Sequence, residues 1–310
     1  MVTRVERRVD VSEVLPAEAP LEVALQLFVP DEVATPNVLL FCLPGGGSKK
    51  EYWSVGPSGS SDGSFTSEML RHGYLVAEVD WLGAGASTRP ANGWDLSIEV
   101  LSAANDIVFR HLRDGLADGS VTGTPTHVDL DIGVGMSGGS AITCFQQGSI
   151  GTFSAIALLG FTVHRAFFHG APYRPIQEMV LSAVDGYLVP SEQRDQQRAP
   201  RVSAFGLSDD FMDAMAAVRC PNPAPIPVFA MQDGLMDPLA REITVPVFLG
   251  SGETDITPDA GEEVMHFSSS RDVTKFIEPG TGHGRIGATL FRRLDGWIRS
   301  LDVAGDRTPA

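Results

Sequence analysis

A serine hydroxyl is a poor nucleophile until a neighbouring base takes its proton and nearby dipoles steady the charge it creates. Gly135-Met136-Ser137-Gly138-Gly139 has the form G-x-S-x-G. It follows an alternating apolar stretch, Val128 to Val134, and precedes a helical pattern from Ser140 to Gln147. A strand, a tight turn and a helix in that order lift a serine hydroxyl above the edge of a sheet. Glycine beside the serine lets the chain double back without a side-chain clash. A Gly/Ser-rich turn with no chemistry has the same composition in a chain with 33 glycines, and the strand–turn–helix context separates the two.

The base should come from one of seven histidines. His72 and His111 sit in helical patterns among charged neighbours, and His127 opens a strand. His164 and His169 fall in a long irregular region, and His266 in a connection. His283 lies in Pro279-Gly280-Thr281-Gly282-His283-Gly284, after a predicted strand at Val273 to Ile277 and before a helical pattern from Leu290 to Leu301. That position brings it to the same sheet edge as Ser137, so His283 is the expected base. Asp255, in Gly250-Ser251-Gly252-Glu253-Thr254-Asp255 after a predicted strand at Thr244 to Leu249, is the expected orienting acid. Glu253 is its rival, and Asp233 and Asp237 are weaker rivals because they precede that strand. The chain order Ser, Asp, His fits one known arrangement of such groups. Backbone N–H groups for an oxyanion are expected from Pro44-Gly45-Gly46-Gly47 and from Gly138. A phosphate cradle reads poorly here, since neither G-x-x-x-x-G-K-[ST] nor G-x-G-x-x-G is present at this loop.

The elements that must position these residues form an α/β pattern. Thr3 to Val11 and Leu21 to Val29 partly alternate, as half-exposed antiparallel strands do. Val38 to Leu43 is continuously apolar, as is usual for a parallel strand covered on both faces. Further strands are expected at Tyr74 to Val79 and Phe153 to Leu159, with helices at Phe65 to His72 and Ile98 to Leu116. This alternation predicts a mostly parallel central sheet flanked by helices. Residues 162–241 break the rhythm, with prolines, aromatics and methionines and helical stretches near Ile176 to Val184 and Asp209 to Val218. They read as a helical cap inserted before the strand that carries the acid, dividing a core of residues 1–161 and 242–303, with 304–310 a loose tail. A second small domain or an elaborate connection is the alternative.

Composition narrows the partners. The 310 residues are 43% hydrophobic and 20% charged, ordinary for a globular chain that can bury its own core. A net charge of −16 disfavours nucleic acid. Cys42, Cys144 and Cys220 are too few and too scattered for a disulfide framework, and no C-x-x-C or Cys/His cluster suggests a metal. The charged Met1 to Glu13 segment shows no signal-peptide core, and no apolar run reaches membrane-spanning length. A cytoplasmic protein acting on a small-molecule substrate, with no cofactor, metal, nucleic acid or membrane, is the expectation. The pattern specifies no oligomeric state.

These motifs resemble the α/β-hydrolase superfamily, in its esterase/lipase-like serine branch, over roughly Val38 to Phe161 and Thr244 to Leu301. Asp80-Trp81-Leu82-Gly83-Ala84-Gly85-Ala86-Ser87 is similar to a D-x-x-G-x-G-x-S stretch common there. Pro44-Gly45-Gly46 is similar to the oxyanion loop, with proline where histidine is commoner. The resemblance implies Gly46 and Gly138 as oxyanion donors, with Gly45 or Gly47 as the adjacent registers for the first. It also implies an acyl-enzyme mechanism on a carboxylic ester, and it disfavours branches that carry aspartate at the elbow. Met136 departs from the polar or aromatic residue usual before the nucleophile, and the cap region matches no branch, so no substrate class is inherited. Phe161, Phe167, Phe168, Tyr173, Met179, Phe205, Phe211, Met212, Met215, Phe229 and Met231 either shape an apolar pocket or form the cap's own core. A thioesterase, lactonase, C–C bond hydrolase or acyltransferase would use the same groups. A non-catalytic ligand receptor on the same scaffold would not need all of them.

Overall fold

The computed structural model describes residues 2–17, 19–35, 37–164, 166, 176–189, 208–257, 261–284 and 287–301. Phe167, Phe168, His169, Tyr173, Phe205, the Met179 side chain and the tail from 304 lie outside the described residues.

The run Val38–Leu43 shows how the core is built. As strand β3 it points Leu39, Phe41 and Leu43 to one face of the sheet and Val38, Leu40 and Cys42 to the other. A period of two in a fully apolar run demands a cover on both sides. On the first face lie helix α2 (Ile98–Asp118) and helix α3 (Gly138–Ser149). On the second lie helix α1 (Phe65–Arg71) and the C-terminal helix Ala288–Ser300. Ser97 caps α2 by accepting the Val100 N–H, and Gly119 ends it at φ 81°, a left-handed position suited to glycine.

The sheet has eight strands in the order β1-β2-β4-β3-β5-β6-β9-β10. β1 (Thr3–Asp10) pairs antiparallel with β2 (Glu22–Val29), and β2 antiparallel with β4 (Leu75–Val79). From β4 onward, through β3, β5 (Leu130–Met136), β6 (Ala155–Leu159), β9 (Val247–Thr254) and β10 (Val273–Gly282), every pairing is parallel. All the carboxyl ends from β4 to β10 therefore open on one edge, where ligands of open α/β sheets sit. A separate two-residue pair, β7 (Tyr187–Leu188) with β8 (Asn222–Pro223), stands apart from this sheet. Helices Pro225–Ala230 and Asp237–Glu242 pack against α3 on its flank.

Three details differ from the sequence pattern. β2 is buried along its interior rather than half-exposed, because α2 covers the face of Val23, Leu25 and Leu27 and, on the other face, Gln26 turns inward to donate to buried Glu78. β5 runs two residues further than its alternation suggests and delivers Met136 straight to Ser137. β9 and β10 continue past their apolar runs to Thr254 and Gly282, with a register shift between Glu278 and Gly282. Polar and glycine-rich residues extend both strands because strand pairing uses backbone groups, which every residue type except proline can donate and accept.

Candidate active site

Ser137 sits between β5 and α3 with φ 51° and ψ −114°. A non-glycine residue there carries backbone strain of about 1–3 kcal/mol, which the surroundings must hold in place. They do so through backbone bonds. The Ser137 N–H donates to Leu159 O at 2.8 Å, and Ser140 Oγ donates to the same carbonyl at 2.9 Å while accepting the Leu159 N–H at 3.0 Å. The glycines of the motif are steric necessities. A Cβ on Gly135 would stand 2.4 Å from the Ser140 backbone, and one on Gly139 would stand 2.2 Å from Leu43 O.

Gly46 and Gly138 meet beside this turn. The Gly46 nitrogen is 3.3 Å from where a Gly138 Cβ would project, and the Trp81 ring is 2.8 Å from the same point. Gly138 is the first residue of α3, where a helix leaves its N–H groups without intrahelical acceptors. Gly45 is nearer the serine side chain, its Cβ position 3.5 Å from Ser137 Cβ. Residues 218–220 hold the glycine loop at two points. The Cys220 N–H donates to Gly47 O at 3.1 Å and the Lys49 N–H to Val218 O at 2.9 Å. Beneath it, the buried Asp80 carboxylate accepts the Lys50 and Ala86 N–H groups at 2.7 and 2.8 Å and faces Lys50 Nζ at 3.2 Å. Asp80 opens the D-x-x-G-x-G-x-S stretch, and this clamp is the structural work of that motif.

His283 Nδ1 lies 2.7 Å from Asp255 Oδ1. Asp255 is buried, its Oδ2 accepts the Gly252 N–H at 3.0 Å, and its Oδ1 accepts the Ile256 N–H at 2.7 Å. Burial pushes the Asp255 carboxyl up, but His283 and the two N–H groups outweigh it and hold the carboxyl below its usual range. The His283 ring also neighbours Gly160, whose Cβ would stand 3.3 Å from Nδ1 and 2.6 Å from Met136 Cε. The imidazole therefore lies beside the strand ends that flank Ser137. Gly252 permits this crossing, since a Cβ there would stand 2.6 Å from Thr281 O. Tyr52 donates to Gly284 O at 3.3 Å and steadies the loop behind the histidine.

Two of the rival acids go elsewhere. Exposed Glu253 accepts the Gly280 N–H at 2.9 Å, and Asp237 faces His164 and His266. Sequence reasoning missed Lys50, Tyr52 and Trp81; the D-x-x-G-x-G-x-S match pointed to the neighbourhood of Asp80 but not to its partner. A small apolar cleft beside Gly284 is lined by Tyr52, Trp53, Val55, Phe65, Phe211 and Phe291. Among the described residues no helix is long and apolar enough to cross a membrane.

No family model matches the chain, and no curated protein sequence matches it. Solved structures do. An esterase from a Rhodococcus species is 16% identical, with a TM-score of 0.62, covering 97% of this chain and 99% of its own. A bromoperoxidase from Bacillus anthracis is 13% identical, with a TM-score of 0.62 and coverage of 95% and 97%. A peroxisomal alpha-beta-hydrolase from Saccharomyces cerevisiae is 12% identical, with a TM-score of 0.61 and coverage of 100% and 92%. The parallel sheet, its flanking helices and these likenesses along nearly the whole length agree: the chain has the α/β-hydrolase fold.

Proposed function

We propose that the protein is a serine hydrolase that cleaves a carboxylic ester, or a related acyl bond, of a small and partly apolar substrate. The observation that carries this reading is the Asp255–His283 contact at 2.7 Å, set at the sheet edge where Ser137 is held in its strained turn. Asp255 occupies Nδ1, so Nε2 is the ring nitrogen that meets the Ser137 hydroxyl. His283 takes the proton as Ser137 Oγ attacks the carbonyl carbon. Asp255 keeps the tautomer and stabilises the imidazolium. The N–H groups of Gly46 and Gly138 receive the oxyanion, the largest single electrostatic contribution in such reactions. The alcohol leaves with the proton from His283, and water repeats the sequence on the acyl-enzyme.

We assign the cleft beside Gly284 to the substrate's hydrocarbon portion, because the aromatic rings of Tyr52, Trp53, Phe65, Phe211 and Phe291 line it. Residues 162–241 form the proposed cap, a reading supported by the bonds from residues 218–220 to the glycine loop and by Asn222 Nδ2, 3.8 Å from the Gly46 Cβ position. Reaction with a fluorophosphonate probe, mapped by peptide mass, tests the reading. Labelling at Ser137 that is lost in Ser137→Ala supports it. Well-folded protein that takes no label overturns it and brings forward a non-catalytic ligand receptor. A panel of esters and thioesters of graded chain length then tests the bond and the cleft, and the absence of any chain-length preference removes the apolar assignment.

A further inference from the structure

Away from Ser137, three side chains from separate segments converge. His164 lies in the chain leaving β6, Asp237 begins the helix Asp237–Glu242, and His266 ends a short 3-10 helix at Glu262–His266. His164 Nδ1 is 3.3 Å from Asp237 Oδ2, and His266 Nδ1 is 3.1 Å from Asp237 Oδ1. The two imidazoles stack, with centroids 5.6 Å apart and planes 10° from parallel. One donor atom from each residue falls within 4.8 Å of the others.

The Asp237 carboxylate is the informative group. Its Oδ1 is buried and accepts no hydrogen bond, although His266 Nδ1 is only 3.1 Å away. The two atoms are close but are not aligned for an N–H to be donated. Leaving a buried carboxylate oxygen unsatisfied is costly, so the arrangement calls for something that both atoms can face. Two ligands held about 2.05 Å from one metal ion stand about 2.9 Å apart at a right angle and about 3.4 Å apart at the tetrahedral angle. The 3.1 Å separation to Oδ1 and the 3.3 Å separation to Oδ2 each fall in that interval, so the carboxylate would turn both oxygens toward the ion, one beside each imidazole. The widest pair, within 4.8 Å, would close by side-chain rotation when an ion binds.

We propose that His164, Asp237 and His266 form a binding site for a divalent transition-metal ion, with zinc the fitting occupant. Two imidazoles and one carboxylate make a borderline donor set that suits zinc and its neighbours. Magnesium and calcium want oxygen ligands in greater number. His164 is 58% exposed while Asp237 and His266 are mostly covered, so the site opens to solvent on one side and leaves a position for water. The site's task is structural. The 3-10 helix carrying His266 also carries buried Glu263, which accepts from Thr162 Oγ1, the Val163 N–H at 2.8 Å and Thr257 Oγ1 at 3.1 Å. Thr257 follows Asp255 closely, and Thr162 follows Gly160. A bound ion would therefore tie the segment leaving β6 to the segment beyond Asp255. This assignment stands whether or not the protein is a hydrolase.

Zinc chloride titrated into chelator-stripped full-length protein, followed by calorimetry and by Tm, tests the site. The expected result is one ion per chain and a Tm that rises with zinc. His164→Ala, at the exposed position, and the near-isosteric Asp237→Asn should each weaken binding by about a hundredfold or more, since even partners outside the ligand set cost 10–100-fold. Cobalt(II) added to the unaltered protein should give the visible absorption of a low-coordinate site, displaced by zinc. No stoichiometric uptake by the unaltered protein overturns the proposal. So does binding that His164→Ala leaves unchanged, which would place the ion elsewhere on the chain.

Discussion

Two regions of this molecule set imidazole Nδ1 atoms against a carboxylate, and they differ in what fills the rest of that carboxylate. At Asp255, Gly252 and Ile256 donate N–H bonds and His283 closes to 2.7 Å. Both oxygens accept hydrogen bonds, and a single imidazole is held in one orientation. At Asp237, two imidazoles stand at 3.1 and 3.3 Å and one oxygen accepts no hydrogen bond. The first arrangement is saturated and suits a proton that must stay in place. The second is unsaturated and suits an ion that can join all three groups. On the two proposals made above, the same residue types serve different chemistry, and the backbone amides around the aspartate make the difference.

Removing the saturated arrangement should have the largest effect. Ser137→Ala or His283→Ala should lower kcat on an ester by about 10⁴-fold or more, and Asp255→Asn by about 10⁴-fold, since the amide stabilises the wrong tautomer. Steady-state kinetics on the best ester of the panel would measure this, and a loss under tenfold for Asp255→Asn would mean that the short contact does not orient the base. Next in size is the elbow. Gly135→Ala drives a Cβ to 2.4 Å from the Ser140 backbone, and denaturant unfolding should show a loss of about 1–3 kcal/mol, as overpacking costs.

A smaller effect should appear in acid. The folded Asp255 carboxyl is held below its ordinary 3.8, so the unfolded chain takes up its proton first. The stability this residue adds is therefore complete above that value and is lost as pH falls through the depressed one. Unfolding curves of the unaltered protein and Asp255→Asn should converge there and stay apart at neutral pH. Smallest is Glu253→Gln. Exposed Glu253 accepts only the Gly280 N–H in the contacts described above, and stability should move by no more than about 0.5 kcal/mol, with little change in kcat. A large effect would make Glu253 part of the site and blur the contrast with Asp255.

The elbow was legible because it is local. Strand, turn and helix follow one another within Leu130–Ser149, so spacing alone places Ser137. The glycine loop before His283 was legible for a similar reason. Which carboxylate meets His283 was harder, since Glu253 and Asp255 stand two apart near the end of β9. The choice rests on how β10 crosses β9 after its register shift, which brings Glu253 to Gly280 and Asp255 to His283. The cluster of His164, Asp237 and His266 was not legible at all. Its members lie in a chain segment, a helix and a 3-10 helix with no common spacing, and Asp237 was weighed only as a rival acid.

By itself, the sequence determined the parallel α/β plan and the turn that carries Ser137. Both follow from side-chain periodicity and backbone sterics, which act between near neighbours. Only the tertiary structure decided which carboxylate each imidazole faces, what lies under the glycine loop, and where two distant histidines meet. Those contacts join residues far apart in the chain, and hydrogen-bond direction and burial are properties of the folded surroundings rather than of any one segment.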